Sequence, residues 1–411
     1  MPFPSFALTL SDFALAARNV RRHTRRTLFA LSIIVGGVTA FMLAGGFIDW
    51  VLYGMREAAI QSQLGHIQIT RPDYFEKGIG DPYNYLLPDP GSEPFLASQP
   101  NIVSVAPRLA FGGLVSRDEE TIAFIGEGID PVKEAPMTKA LEVVAGRDLA
   151  SIDEQSILMG EGLAANIGAE VGDVIVLLAN TAAGNLNAVE VTIVGLFTSA
   201  SKAYDDTALR APLPIARDLM RVEGATSWVV LLDDTALAPK AVESFRQALD
   251  AGQYEITPWW ALADFYNKTV ELFSKQVMLL RILVGAIVVL SISNTLSMAV
   301  AERTSEIGTS MALGVRRARI LRLFVSEGAV LGIIGGIVGA LLAWGLGEAI
   351  SHVGIPMPPP PGMTRGYVAE ILISPGLAAD GFLLAFVTTL LASILPATRA
   401  ARLNVVDALR H

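Results

Sequence analysis

ERTSEIGTSMALGVRRARILRLFVSEG, residues 302–328, is a charged, helix-forming stretch set between two apolar runs. Ile282 to Val300 precedes it, and Leu323 to Gly347, interrupted only by Glu327, takes over at its end. Two further uncharged runs are Thr27 to Ile48 and Gly381 to Thr398. Each run is roughly 18–25 residues, the length at which an α-helix crosses about 30 Å of hydrocarbon. The 411-residue chain is 52% hydrophobic and 17% charged, with a mean hydropathy of +0.48, a balance that belongs in a membrane. The expected fold class is an α-helical membrane protein with four transmembrane helices and a large α/β extracytoplasmic domain between helices 1 and 2.

Lys and Arg in the short flanks set the expected orientation. Arg18, Arg21, Arg22, Arg25 and Arg26 precede the first run. Arg303, Arg316, Arg317, Arg319 and Arg322 lie between the second and third, and Arg399, Arg402 and Arg410 follow the fourth. The stretch from Ser351 to Pro375 has only Arg365. Both termini and the 301–322 loop are therefore expected in the cytoplasm. In chain order the reading is a cytoplasmic amphipathic segment 1–26, transmembrane helix 27–50, a periplasmic α/β domain 51–270, and a stalk with the second transmembrane helix 271–300. A cytoplasmic coupling helix and loop 301–322, a third span 323–348, a periplasmic Pro-rich loop 349–376, a fourth span 377–398 and a cytoplasmic tail 399–411 complete it. The first run resembles a secretory signal in its basic flank, but its apolar core is longer than a usual signal core and three more spans follow, so it reads as an anchor.

The segment from Val51 to Lys275 holds 31 Asp and Glu against 16 Lys and Arg, an acidic surface that repels nucleic acid. Without cysteine, neither a disulfide framework nor thiol chemistry is available. HIQIT, SVAPRLA, TIAFIGEGI, SILMG, DVIVLLA, VEVTIVGLF and SWVVLL read as strands between Gly, Pro, Asp and Asn punctuation. Helices are expected at 94–99, 162–167, 215–222 and 236–251. Two lobes are expected, with 109–189 inserted into a lobe built from both flanks. His23, His66, His352 and His411 are scattered without metal-ligand spacing, and neither H-E-x-x-H nor G-x-S-x-G occurs, so no catalytic and no metal residue is assigned. No Lys follows a Gly, which excludes a G-x-x-x-x-G-K-[ST] phosphate loop within these residues.

Within the opening stretch, Glu302 to Leu313 is expected as a short cytoplasmic helix broken at Gly314. Ile307 and Met311 form an apolar ridge, and Glu302, Arg303 and Glu306 cluster at its start. That shape suits a groove on a cytoplasmic partner. Glu327, costly inside a span, is expected to pair with Arg322 or Arg319. Gly328, Gly332 and Gly336, and likewise Gly36, Ala40 and Ala44, recur every four residues. Both stripes are candidate helix contacts, within the chain or between two copies.

AERTSEIGTSMALGVRRARILRLFVSEGAVLGIIGGIVG, with ALAARNVRRHTRRTLFALSIIVGGV at the start and PATRAARLNVVDALRH at the end, resembles the permease subunits of the MacB, FtsX and LolC/LolE superfamily of ABC transporters. GEGLAANIGAEVGDVIVLL and VEVTIVGLF resemble the extracytoplasmic domain of that family. The resemblance implies a permease in the bacterial inner membrane, paired with a second copy or a paralogue and driven by a cytoplasmic ABC ATPase dimer through the 302–313 helix. ATP and Mg would sit on that ATPase, and no cofactor on this chain. It implies movement of the outside domain in contact with membrane lipid, without a substrate pore. The GHIQI strand is similar to the LolE-type branch, which implies release of lipoprotein or lipid to a periplasmic carrier. A MacB-like efflux permease with a periplasmic adaptor and outer-membrane duct, and an FtsX-like mechanotransducer that activates a periplasmic hydrolase, are the alternatives.

Overall fold

In the computed structural model the described residues are 15, 16, 18, 19, 24–117, 119–139, 141–152, 154–199, 201–358 and 367–404. Arg21, Arg22, His23, Arg365, Arg410 and His411, and most of the proline run, lie outside them. In chain order the elements are α1 (Thr24–Ala59), continued by a π-helical turn Ile60–Leu64, then β1 (Ile67–Thr70), β2 (Ile102–Arg117), β3 (Glu120–Ile129), α2 (Pro131–Glu134), β4 (Glu142–Gly146), β5 (Ser156–Gly160) and α3 (Glu161–Ile167). There follow β6 (Val174–Asn180), β7 (Leu186–Thr198), β8 (Ala208–Pro212), α4 (Leu213–Met220), β9 (Ser227–Leu232), α5 (Ala238–Ala248) and β10 (Glu255–Pro258). The chain closes with α6 (Asp264–Glu302), α7 (Thr304–Ala312), α8 (Arg317–Val353), the strands β11 (Ile355–Met357) and β12 (Tyr367–Ala369), and α9 (Pro375–Ala401). Among the described residues, four helices are long and apolar enough to cross a membrane. They fall at the four apolar runs and extend beyond them, because in lipid every backbone group must find its partner within the helix.

Two compact units result: 1–52 with 269–356 and 368–411, and 53–268 with 357–367. In the helical unit, Ala30, Ile34, Val38, Phe41 and Met42 of α1 form one core with Val284, Val288 and Ile292 of α6, Leu331 of α8 and Ala385 of α9. Glycine sets the spacing. A Cβ on Gly328 would lie 2.7 Å from the Ser393 Cβ, one on Gly332 2.2 Å from the Thr389 Oγ1, and one on Gly336 2.9 Å from the Phe382 ring. The 328/332/336 stripe therefore faces α9 of the same chain. Gly335 and Gly339 in turn meet Ile34 and Val38 of α1. The 36/40/44 stripe has the same spacing and a different place: Gly36 and Ala40 are exposed, Ala44 is half-buried, and nothing lies within 4 Å of a Cβ on Gly36. In α1 the packed face is the one through Ile34, Val38 and Phe41.

In the sheet domain all seven expected strands form, and β4, β8 and β10 join them. One lobe holds β10, β1, β9 and the first half of β2, over a core of Ile67, Ile69, Trp228, Val230, Phe245 and Ile256. The second is a closed ring, β2–β3–β8–β5–β7–β6 and back to β2. Leu109, Phe124, Ile157, Ile175, Val191 and Leu209 fill it. Its core runs on to Met220 of α4, so the inserted part extends past 189: β8 pairs parallel with β3, and α4 packs on the ring. β2 belongs to both lobes, and Arg108 marks the crossing, opposite Ser227 of β9 on one side and Ile129 of β3 on the other.

At this crossing lies a group of two cations and two anions, buried but for the half-buried Glu127. Arg108 and Arg210 are 5% and 1% exposed, and Glu134 is 1% exposed. Arg108 forms a two-point pair with Glu134 (Nε to Oε2, 3.2 Å). Arg210 donates to Glu127 at 2.9 Å and lies 3.6 Å from Glu134. Both guanidiniums also donate to the end of the π-helical turn, Arg210 to the Ser62 carbonyl at 3.1 Å and Arg108 to that of Gln63. Burial by itself raises the Glu127 carboxyl, but Arg210 and Arg108 outweigh it and hold it below its ordinary value. His66 is buried as well. Its Nδ1 accepts from the Leu232 N–H at 3.0 Å, which leaves Nε2 to donate to Thr235 Oγ1 at 2.9 Å, and burial lowers its pKa.

Two outcomes follow from this packing. Gly332→Leu should lower the melting temperature of the detergent-purified chain, because overpacking a close seam costs about 1–3 kcal/mol or more, whereas Gly36→Leu should leave it within error. Glu134→Ala should destabilise the sheet domain by about 3–5 kcal/mol, since it strands buried cations; tryptophan fluorescence on heating reads the loss.

Candidate coupling site

Residues 302–328 divide among three elements. α6 ends at Glu302, Arg303 leaves helical backbone (φ −105°, ψ 15°), and α7 occupies Thr304–Ala312. Gly314 takes φ +92°, a left-handed turn that favours glycine. After it α8 starts at Arg317 and runs unbroken to Val353, so the arginine-rich segment and the third span are one helix. Glu302 thus closes the second spanning helix and does not start α7.

The expected ridge exists, and it faces the chain itself. Ile307 is 7% exposed and packs with Val300, Ile320, Phe324, Ala397 and Ala400, and Met311 leans on the same cluster. The helix ends of α8 and α9 offer apolar surface a few residues away, so the ridge is covered in cis. What α7 presents outward is Ser305, Glu306, Thr309 and Ala312, followed by Leu313, 83% exposed.

The charged residues separate in space. Glu302 accepts from Arg26 Nη1 of α1 at 2.9 Å, with its side chain 61% exposed. Arg303 turns inward: its Nη1 lies 3.2 Å from Glu327, its Nε 3.4 Å from Glu306, and its guanidinium covers the Phe324 ring at 5.9 Å. Glu327, 4% exposed, also accepts from Asn19 Nδ2 at 2.7 Å. The expected Arg322 or Arg319 pairing gives way to Arg303, which stands at the junction of α6 and α7, 24 positions from Glu327, and is brought to it by the return of the chain into α8. Asn19 carried no signal in the sequence. A groove of about 160 Å³ beside α7 is lined by Leu15, Glu306, Ser310, Arg319 and Phe324 among others.

The sheet domain has a cleft of its own, about 710 Å³, on the ring. Ile79, Leu114, Ile125 and Leu186 line it while 45–74% exposed, with Tyr74, Tyr83 and Asn180 as its polar side chains. Among the described residues no charged side chain lines it, in a domain rich in carboxylates.

Residues 278–405 match the family model of the FtsX-like permease C-terminal region, and 27–248 match that of the MacB-like periplasmic core domain. The macrolide export ATP-binding/permease protein MacB of Chromobacterium violaceum is 25% identical over 421 residues, covering 98% of this chain and 60% of that protein. The chain therefore spans about 60% of the length of that relative. The lipoprotein-releasing system transmembrane protein LolC of Neisseria meningitidis is 24% identical over 411 residues, covering 94% of both. The solved periplasmic region of MacB from Actinobacillus actinomycetemcomitans overlaps 53% of this chain and 98% of its own, with 16% identity and a TM-score of 0.38. With over half of its length matched by the MacB-like core and its last three spanning helices by the FtsX-like region, the chain belongs to the MacB/LolC-type permeases of ABC transporters.

Proposed function

We propose that this chain is one of two paired permeases, a second copy or a paralogue being the other, through which a separate cytoplasmic ATPase dimer drives extraction of a lipoprotein or lipid from the inner membrane. In this reading α7 and both termini are cytoplasmic and the sheet domain is periplasmic, as the arginine distribution supports. ATP and Mg would be held by the ATPase, since no phosphate loop occurs in these 411 residues. The observation that carries the reading is α7 itself: a short helix between two spanning helices, anchored by Ile307 on one face and bare on the other. The exposed Gly36 and Ala40 of α1 support close approach of a second permease.

Similarity to LolC along 94% of both chains supports the lipoprotein branch and a periplasmic carrier as partner. The uncharged cleft on the ring supports a substrate with an apolar part. Similarity to MacB along 98% of the chain supports a second reading, efflux of an amphipathic molecule through an adaptor. Substrate co-purified with the detergent-extracted complex and identified by mass spectrometry separates the two: an acylated protein or lipid favours extraction, a small amphiphile favours efflux.

The partner surface is then Leu313 with Thr309 and Glu306, and not the Ile307–Met311 ridge. Burying a large aliphatic side chain is worth about 1.5–3 kcal/mol, an exposed ion pair about 0–1. Leu313→Asp should release the ATPase in a pull-down at equal membrane expression, and Arg316→Ala should retain it. Ile307→Asp should instead lower the melting temperature of the permease itself. Full retention by Leu313→Asp would move the contact elsewhere. Because the chain has no cysteine, orientation can be read directly: a membrane-impermeant maleimide should label Glu120→Cys in intact cells and spare Ser305→Cys.

A further inference from the structure

Glu302 and Arg303 are neighbours in sequence and turn to different helices. Glu302 meets Arg26 of α1 at an exposed site, whereas Arg303 reaches Glu327 of α8 at a buried one. A carboxylate within a spanning helix persists only with partners, and among the described residues those of Glu327 come from outside α8: Asn19 and Arg303, the cation just before α7. One residue on, at Gly328, α8 and α9 touch closely enough that a Cβ would strike Ser393. Glu327 therefore sits where α8 and α9 are joined. Among the described residues, three contacts hold α7 to that joint: the Arg303–Glu327 pair, the Arg303 guanidinium on Phe324, and Ile307 buried against Ile320, Phe324, Ala397 and Ala400. Toward α6 the backbone leaves helical geometry at Arg303, and what else joins the two helices is light: the Thr304 hydroxyl donates to the Val300 and Ala301 carbonyls, and Ile307 touches Val300.

We propose that Glu327 is the positioning residue of coupling: by fixing Arg303 it holds α7 to the α8–α9 pair, so that a push on α7 moves those helices with it as one body while the link to α6 yields at Arg303. A group acting this way transmits force through Arg303 and touches neither nucleotide nor substrate. The inference rests on the coupling role proposed above for α7.

The test uses the complete complex of permease and ATPase in lipid nanodiscs. Spin labels are placed at Ser305 and Leu341, exposed sites on α7 and α8, and in a second sample at Ser305 and Leu290 of α6. Pulsed EPR distances are recorded without nucleotide and after trapping with ATP and vanadate. With Glu327 present, the 305–341 distance should be the same in both states and the 305–290 distance should change. Glu327→Gln, nearly isosteric, should let the 305–341 distance shift on trapping and reduce ATP-driven coupling by about tenfold, while the ATPase stays bound and the melting temperature holds. Arg26→Gln should leave the 305–341 distance fixed, and Arg303→Glu combined with Glu327→Arg should restore it. Should Glu327→Gln fail to accumulate, Arg303→Gln reads the same distance with the Asn19 contact intact. A 305–341 distance that changes on trapping in the unaltered chain overturns the proposal. So does a Glu327→Gln complex that behaves like the unaltered one, or one that only melts earlier. Failure of the unaltered permease to retain any ATPase overturns the coupling reading itself, and the pull-down shows that independently of Glu327.

Discussion

Between α8 and α9 the room a side chain would occupy is filled by the other helix. Lipid tails are as apolar as leucine, so hydrophobic burial does not drive two helices together there; close contact does. Gly328, Gly332 and Gly336 supply that contact against Ser393, Thr389 and Phe382, and the hydroxyl of Thr389 is satisfied within its own helix by the Ala385 carbonyl at 2.9 Å. The rest of the helical unit depends on this seam. α1 lies on its second glycine face at Gly335 and Gly339, and α7 rests on its end through Phe324, Ala397 and Ala400.

The sheet domain solves a comparable joining problem with charge. Its two lobes meet where β2 leaves β9 for β3, and there Arg108, Arg210, Glu127 and Glu134 neutralise one another while the π-helical turn at the end of α1 supplies two carbonyls. Such a group adds little net stability over an apolar equivalent, but it tolerates neither a missing partner nor a changed register. Glycine contact and ion-pair geometry are both exacting, and each defines one arrangement of the elements it joins.

Much of this was legible in the residues. The spans stand out because a run of about 20 residues without charge has few other uses, and seven strands announce themselves by β-rich runs between turn residues. EVVAG, ALRAP and EITP did not: each is short, and ALRAP is a strand through its neighbours β3 and β5. With no such signal at β8, the residues place the end of the inserted lobe too early, at 189. Periodicity correctly put Ile307 and Met311 on one face of a helix, yet spacing does not say what covers that face. The same holds for the two small-residue stripes, identical in spacing, of which one meets α9 and the other is exposed. Glu327 was visible as a lone charge in an apolar run; its partner was not, because proximity along the chain is a poor guide once the chain doubles back.

The lobe arrangement also sets an order of assembly. β1 is made early, directly after the first spanning helix, but its neighbours are β9 and β10: Ile67 lies opposite Val230 on one side and Pro258 on the other. The whole ring is synthesised in between, and it closes by a short seam of Leu114–Ser116 against Val176–Leu178. Contacts so distant in sequence form slowly, because the intervening loop must be ordered before they are rewarded. The ring can complete itself from its own residues, while β1 waits with both edges unpaired until β9 is made at residues 227–232, and with one edge unpaired until residue 258. During synthesis the vulnerable species is therefore a finished ring tethered to an orphan strand, the state in which a nascent chain is most open to mispairing with its neighbours.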